Sequence, residues 1–531
     1  DRSPSRGLGD VYKRQYVNSW NFGNNSIKEI CTKLSEARID IIETGFLTDI
    51  EHSDDESLYY SCEELDRKCG NRGMSLRAAM IAIGEKEMDP VSLLPAQECG
   101  LDIVRLTFHR NEAEIAKAER YARCLMEKGY KVCMQPVGTT SYTDKQLIEL
   151  IERVNLLKPY AFYLVDTLGI LCRDELMRFV YLIDNNLDPG IKIGFHSHNN
   201  LQMSFANAQY IIEHRSSRQF IVDCSVYGMG RGAGNLCTEL IAQYINDTCG
   251  QKYNMVPIYE ILDNIVHPIQ LKHSWGYNAN YYIAAVHKCH PNYASYLMNK
   301  QTLTMNEIDL ILKNLPSEQR DVYSKTLAEK MYYSFQNHEV DDNASISELK
   351  RMILGRKILL LAPGHSIVSS KQIVKEYIER ELPVMISING CYEGYTSDFV
   401  FVSNLKRLYG IDPGKLSAKL ILTSNLPSVV SDGIYVDYAG LCDFGSEEPD
   451  NSGMMMIRLL VKIGVKEVSI AGFDGFAQDV RINYCSEKLV NSILVDKLED
   501  KNRAIAKQIS QIRQKIKIHS ITKSKYFEWS D

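Results

Sequence analysis

The stretch IKIGFHSHNN, residues 191–200, decides how the first half of the chain is read. An apolar run of strand length ends in two histidines, His196 and His198, one residue apart. Side chains two apart on a strand share a face, so both imidazoles can meet one ligand, and a metal is the first candidate. Six further runs of this kind surround it: IDIIETGF (39–46), SLRAAMIAI (75–83), DIVRLTFH (102–109), KVCMQPVG (131–138), AFYLVDTLGI (161–170) and FIVDCSVYG (220–228). Their near-continuous apolarity suits parallel strands buried on both faces, and an amphipathic, helix-like segment follows each. Seven strand–helix units before residue 250 predict an α/β fold, a (β/α)8 TIM barrel with its first strand truncated. An open doubly wound sheet is the alternative, but it would carry a Gly-rich turn after its first strand, and this half shows none.

The opening DRSPSRGLGDVYKRQ, residues 1–15, lacks Met and apolar periodicity and is expected to be a non-native, adaptor-like leader outside the fold. The barrel is then expected over 16–253, its missing strand falling just before YVNSWNFG and its first helix over SIKEICTKLSEA with Ser26 as N-cap. Residues 254–345 carry helical periodicity without strands and predict a helical extension, ending in the polar linker NHEVDDNASISE. From RKILLLAPGHSI (356–367) onward, strand, turn and helix recur, predicting a Rossmann-like α/β domain over 355–531. The stretch 486–514 reads as a charged amphipathic helix with a solvated face.

Composition narrows the function classes. The chain has 531 residues, 45% hydrophobic and 24% charged, with a formal net charge of −6 and no basic block, which points away from nucleic acid and towards small molecules. No membrane span and no signal peptide are expected. The 14 cysteines are scattered without a C-x-x-C pair and read as reduced thiols of a cytoplasmic protein.

In a parallel barrel, catalytic groups sit at the carboxyl ends of the strands. His196 and His198 end one such strand, Asp166 and Thr167 another, and His109 and Glu43 two more. Each has a structural alternative: a hydrogen-bonded strand-end histidine, a helix cap or a strand-end hydrogen bond for Asp166, a loop salt bridge for Glu43. The last barrel run leads into YGMGRGAGN (227–235), whose glycines let backbone approach a ligand and which ends in Asn235.

GFHSHNNLQMSFANA, GMGRGAGN, LVDTLG and YVNSWNFG together resemble the DRE-TIM metallolyase superfamily, most closely its 4-hydroxy-2-oxovalerate aldolase branch, over about residues 16–300. The resemblance implies a divalent cation held by His196, His198 and an aspartate ending the first strand, with Mn²⁺ expected first and Mg²⁺, Co²⁺ or Zn²⁺ as alternatives. The family's R-D-G-G falls where YKRQ (12–15) stands, so Lys13 occupies the aspartate position, and an ammonium group cannot coordinate a metal. It further implies retro-aldol cleavage, or the reverse, of a 2-oxo acid and an aldehyde through a pyruvate enolate. Tyr16 stands at the position of the family's proton-transfer histidine, and Tyr281 of WGYNANYY at that of a post-barrel tyrosine. Glu43 is a further candidate catalytic group; His109, Asp166, Thr167 and Asn235 are candidate substrate contacts, and a homo-oligomer is expected. Glu43 and Asn235 also resemble positions of the acyl-CoA branches, which keeps a Claisen-type synthase or lyase as the alternative. A non-catalytic barrel carrying an active C-terminal domain is a third reading.

The C-terminal domain more faintly resembles sialyltransferase-like and pterin-pyrophosphokinase-like proteins, implying a nucleotide or nucleotide-sugar ligand and a link to surface carbohydrate synthesis. Pro363, Gly364, His365 and Ser366 would form its phosphate turn, with Asn389, Asn404, Ser452 and Gly453 lining the crevice.

Overall fold

The computed structural model describes residues 7–11 as backbone and residues 20–70, 73–273, 275–412, 416–427, 432–479, 483–486 and 498–528. The chain folds as two compact units, Asp1–Ala294 with Pro316–Tyr323, and Ser295–Leu315 with Ser324–Asp531. The stretch expected as one helical extension, 254–345, is therefore divided between the two. Its helices up to Ala279–Val286 belong to the barrel unit, while Met305–Lys313 and Lys325–Gln336 belong to the second.

The first unit is a closed parallel barrel. Its strands are β1 (Gly7–Val11), β2 (Ile41–Leu47), β4 (Leu76–Ala82), β5 (Ile103–Phe108), β6 (Lys131–Pro136), β7 (Ala161–Asp166), β8 (Lys192–Ser197) and β9 (Phe220–Cys224). A two-residue β3, Leu58–Tyr59, pairs alongside β2. The seven expected runs all became strands. The set-aside leader, however, supplies β1, which pairs in parallel with β9 on one side and β2 on the other. Without it β2 and β9 would face each other as open edges with unpaired N–H and C=O groups, so closure favours a strand there despite its two glycines.

Alternation along each strand separates two cores. Ile42, Ala79, Val104, Val132, Phe162, Ile193, Phe195 and Val222 point outward into the layer under the helices. Ile41, Ala78, Ile103, Cys133, Ala161 and Ile221 fill one interior layer. Glu43, Arg105, Gln135 and Asp223, each two residues further along its strand, bring polar groups into the next.

Two local expectations are corrected. The first helix runs Asn24–Glu36 with Gly23, not Ser26, at its N-cap, and the Asp55 carboxylate accepts the Asn24 N–H instead. Cys62 and Cys99 form a disulfide with Cα atoms 5.3 Å apart, leaving twelve of the 14 cysteines as thiols. Their separation of 37 residues has no recognisable spacing; the fold brings them together.

The second unit is an all-parallel sheet of β10 (Ile358–Leu361), β11 (Val384–Ile388), β12 (Phe399–Val402), β13 (Lys419–Thr423), β14 (Ile434–Val436), β15 (Glu467–Ala471) and β16 (Lys517–Ser520). Its strand order is β14-β13-β12-β11-β10-β15-β16, as a doubly wound α/β domain requires. The helix expected over 486–514 is described as Leu498–Ile512, and it is not only a solvated face: Ile505, Ala506, Ile509 and Ile512 pack into the core of this sheet. Among the described residues no helix is long and apolar enough to cross a membrane.

Candidate active site

His196 is the penultimate residue of β8 and His198 follows the strand, so the two rings project to one side, 5.3 Å between centroids and nearly perpendicular. Both line a cavity of about 120 Å³ at the carboxyl end of the barrel, together with His109, Thr167, Thr107 and Arg231. His196 Nδ1 lies 3.1 Å from Asp223 Oδ2, and His198 Nδ1 lies 3.3 Å from the Arg231 carbonyl. Carboxylate and carbonyl oxygens only accept, so each Nδ1 carries the proton and each ring presents Nε2 as its lone-pair nitrogen. This is the arrangement by which metal-binding histidines are held.

Beneath the histidines lies a buried ionic layer. The Arg105 guanidinium, 2% exposed, pairs with Glu43 Oε2 at 2.6 Å and with Asp223 Oδ2. It stacks on the Tyr163 ring at 4.8 Å, and Gln135, its amide oxygen turned inward, accepts from Arg105 Nε at 2.8 Å. Burial alone would lower the Arg105 pKa, but the Asp223 and Glu43 charges outweigh it and hold the cation well above the usual arginine range. Gly194 makes room for this stack: a Cβ there would fall 2.3 Å from the Tyr163 ring. Gly194→Ala is accordingly expected to destabilise the barrel by about 1–3 kcal/mol through overpacking, measured by chemical denaturation. An unchanged midpoint would show that Tyr163 can move without cost.

The other expected residues divide. Glu43 is 1% exposed and ion-paired, which makes it a holder of Arg105 rather than a group meeting substrate. The carboxylate of Asp166 accepts the N–H groups of Ile170 and Leu171, each at 3.0 Å, so its structural alternative prevails. Burial raises its pKa to about 6, and its backbone carbonyl accepts the His198 N–H at 3.2 Å, fixing the strand end. Thr167 accepts the Gly138 N–H, and the His109 ring and N–H both engage Glu114. Asn235 is buried beside the cavity, donating to the Met229 carbonyl at 3.2 Å and bridging His198 through its backbone. Tyr281 lies near Arg231 outside the cavity wall; burial raises its pKa, and the Arg231 charge lowers it in part. Tyr16 and Lys13 fall outside the described residues.

Sequence reasoning missed Arg105, Asp223 and Gln135 as a connected layer. A signal was present: Arg105 and Asp223 are charges inside runs otherwise read as buried on both faces. The asparagines closing the opening stretch also act. Asn200 accepts the Ala233 N–H and donates to the Leu168 carbonyl, tying the Gly-rich loop to the loop after β7.

Residues 19–265 match the HMGL-like family model. A 4-hydroxy-2-oxovalerate aldolase of Geobacillus thermodenitrificans is 28% identical over 263 residues, 46% of this chain and 70% of that protein. Another, of Bacillus thuringiensis, is 32% identical over 176 residues, 32% of this chain and 48% of that protein, so about half of that relative's length is spanned. Among solved structures, Rhizobium etli pyruvate carboxylase shares the fold, with a TM-score of 0.50 and 13% identity over 66% of this chain and 34% of that one. Residues 19–265, just under half of the chain, thus carry an HMGL-like domain. That match and the aldolase-named relatives support the DRE-TIM metallolyase superfamily, aldolase-like branch, for this domain.

Proposed function

We propose that the barrel is a divalent-metal-dependent aldolase that cleaves, or forms, a carbon–carbon bond of a 4-hydroxy-2-oxo acid, with pyruvate and an aldehyde as the other side of the reaction. The observation that carries this reading is the pair of imidazoles on one small cavity, each with Nδ1 on an oxygen acceptor. Among the described residues no group of three or more His, Cys, Asp and Glu could hold a metal, so His196 and His198 supply two ligands and a further one must come from elsewhere. A bound divalent cation, Mn²⁺ by expectation, would supply Lewis acidity at the 2-oxo oxygen as the bond breaks.

The remaining steps belong to the protein. Arg231, on the cavity wall, places a positive charge where the substrate carboxylate would lie. Thr107 and Thr167 lie on the same wall, where their hydroxyl groups would orient a keto acid. Asp223 holds the His196 tautomer, and the Asp166 carbonyl holds the His198 backbone. The cavity's volume suits the pyruvate moiety of a substrate.

The test is pyruvate release from 4-hydroxy-2-oxo acids with added Mn²⁺, run on the chain itself, on Lys13→Asp and on His196→Ala in that background. Lys13→Asp is expected to raise both metal content and pyruvate release, and His196→Ala to abolish both. Turnover of acetyl-CoA with a 2-oxo acid and no pyruvate release would overturn the aldolase reading in favour of the acyl-CoA alternative. Equal metal content with and without His196 would refute the ligand assignment.

A further inference from the structure

The second unit holds a cavity of about 160 Å³ that the barrel chemistry does not use. β10 is flanked by β11 on one side and by β15 on the other, and the chain runs outward from β10 to β14 before crossing back to β15. The turns leaving β10 and β15 therefore diverge at this point. Such a switch point, at the carboxyl ends of parallel strands, is where open α/β sheets receive ligands. Of the eight residues expected at a phosphate site, Pro363, Gly364, Asn389, Asn404, Ser452 and Gly453 all line this one cavity.

We propose that this cavity binds a small phosphate-bearing molecule, its phosphate or diphosphate group lying between the N-terminus of the helix Ser452–Ile463 and Lys300. The cradle is not the turn after β10, as sequence alone suggests. There the Ser366 N–H donates to Asp474 at 2.7 Å and its hydroxyl engages Asp474 and Thr522, so Ser366 serves the fold. His365 does not line the cavity.

Three kinds of donor meet on the wall. The helix Ser452–Ile463 spans twelve residues, and its cap, Asn451, accepts the Met454 N–H. Among the described residues the N–H groups of Ser452 and Gly453 have no acceptor. Asn404 is 5% exposed and accepts the Arg407 N–H through Oδ1, and its Nδ2 has no partner among the described residues. Lys300 rests on the rings of Tyr332 at 5.1 Å and Tyr333 at 5.3 Å, and it pairs with no carboxylate among the described residues. Gly453 lets this wall form, since a Cβ there would fall 2.7 Å from the Phe473 ring.

The acidic groups at the cavity are already bound. Glu448 pairs with Lys501 at 3.0 Å, Asp450 accepts the hydroxyl of Tyr438 at 3.0 Å and that of Tyr332, and Asp474 accepts from Ser366. The cavity thus offers an incoming ligand, among its lining groups, an ammonium group, an amide N–H₂ and two backbone N–H groups at a helix start. That set matches an anion with several acceptor oxygens. Phe473 and Tyr526 provide an apolar wall for whatever the phosphate carries.

The test is calorimetric titration of the full chain with inorganic phosphate, pyrophosphate and a nucleoside diphosphate. Saturable binding of pyrophosphate is expected, weakened roughly tenfold in Lys300→Met, retained in Lys300→Arg, and unchanged in His196→Ala. Tighter binding of the nucleoside diphosphate than of pyrophosphate would support the site and assign the aromatic wall to a base. The proposal is overturned if none of the three probes binds saturably, or if Lys300→Met binds pyrophosphate as well as the unaltered chain does. Because the barrel variant is a control, failure here leaves the aldolase reading standing, and the reverse holds too.

Discussion

Arg105→Met is expected to destabilise the barrel by about 3–5 kcal/mol, seen as a lower denaturation midpoint with little change in slope. Arg105 is among the largest fully buried side chains of the protein and sits between two carboxylates, Glu43 and Asp223, themselves 1% and 2% exposed. Methionine keeps much of the volume, so little of the cost comes from a cavity. The cost comes from leaving two carboxylates inside the barrel without their counter-charge, and a protein interior cannot solvate them as water does. If that account is right, the triple variant Arg105→Met, Glu43→Gln, Asp223→Asn should recover a substantial part of the loss, because replacing a whole buried ionic cluster can be nearly neutral. A triple variant no more stable than Arg105→Met would place the cost in packing around Tyr163 instead. An unaltered midpoint in Arg105→Met would remove the ionic layer from the account of the barrel altogether.

The same layer shows what could be read from sequence and what could not. Strand positions follow from apolar runs, because burial on both faces leaves a local mark, and all seven expected strands formed where the runs lie. Which charges share a layer leaves none: Arg105 and Asp223 are 118 positions apart, and only strand register sets them side by side. β1 was illegible for a related reason. Gly7–Val11 has little strand propensity of its own, and its pairing is dictated by the edges of β2 and β9. Asp166 was ambiguous because one residue type serves both as a ligand and as a strand-end hydrogen-bond acceptor, and only the placement of the Ile170 and Leu171 N–H groups decides. The crevice of the second unit was legible to the level of its walls. Among its donors Lys300 was not, since it joins Asn404 and Ser452 from the turn after the helix Pro291–Asn299, far away in sequence. The histidine pair was legible because a strand's period of two brings the side chains together by local geometry alone.

Asp223→Asn is expected to weaken retention of a divalent metal by about 10–100-fold, measured in the Lys13→Asp background by metal content after dialysis against graded chelator. Asp223 Oδ2 is shared by the Arg105 guanidinium and His196 Nδ1. A carboxylate cannot donate, so its position alone assigns the proton of His196 to Nδ1 and leaves Nε2 to ligate. In the asparagine variant the amide has two orientations, and both cost affinity. With its nitrogen towards the ring it donates to Nδ1, the ring proton moves to Nε2, and the ligand is closed. With its oxygen towards the ring the tautomer survives, but the negative charge that makes the imidazole a better donor is gone. Arg105→Met separates this role from the ion pair: it removes the arginine while keeping Asp223 against His196, so metal retention should stay near that of the parent. His196→Ala sets the floor of the measurement. Retention in Asp223→Asn equal to that of the parent would mean that Asp223 serves only Arg105, and that the His196 tautomer is fixed by something other than the residue beneath it.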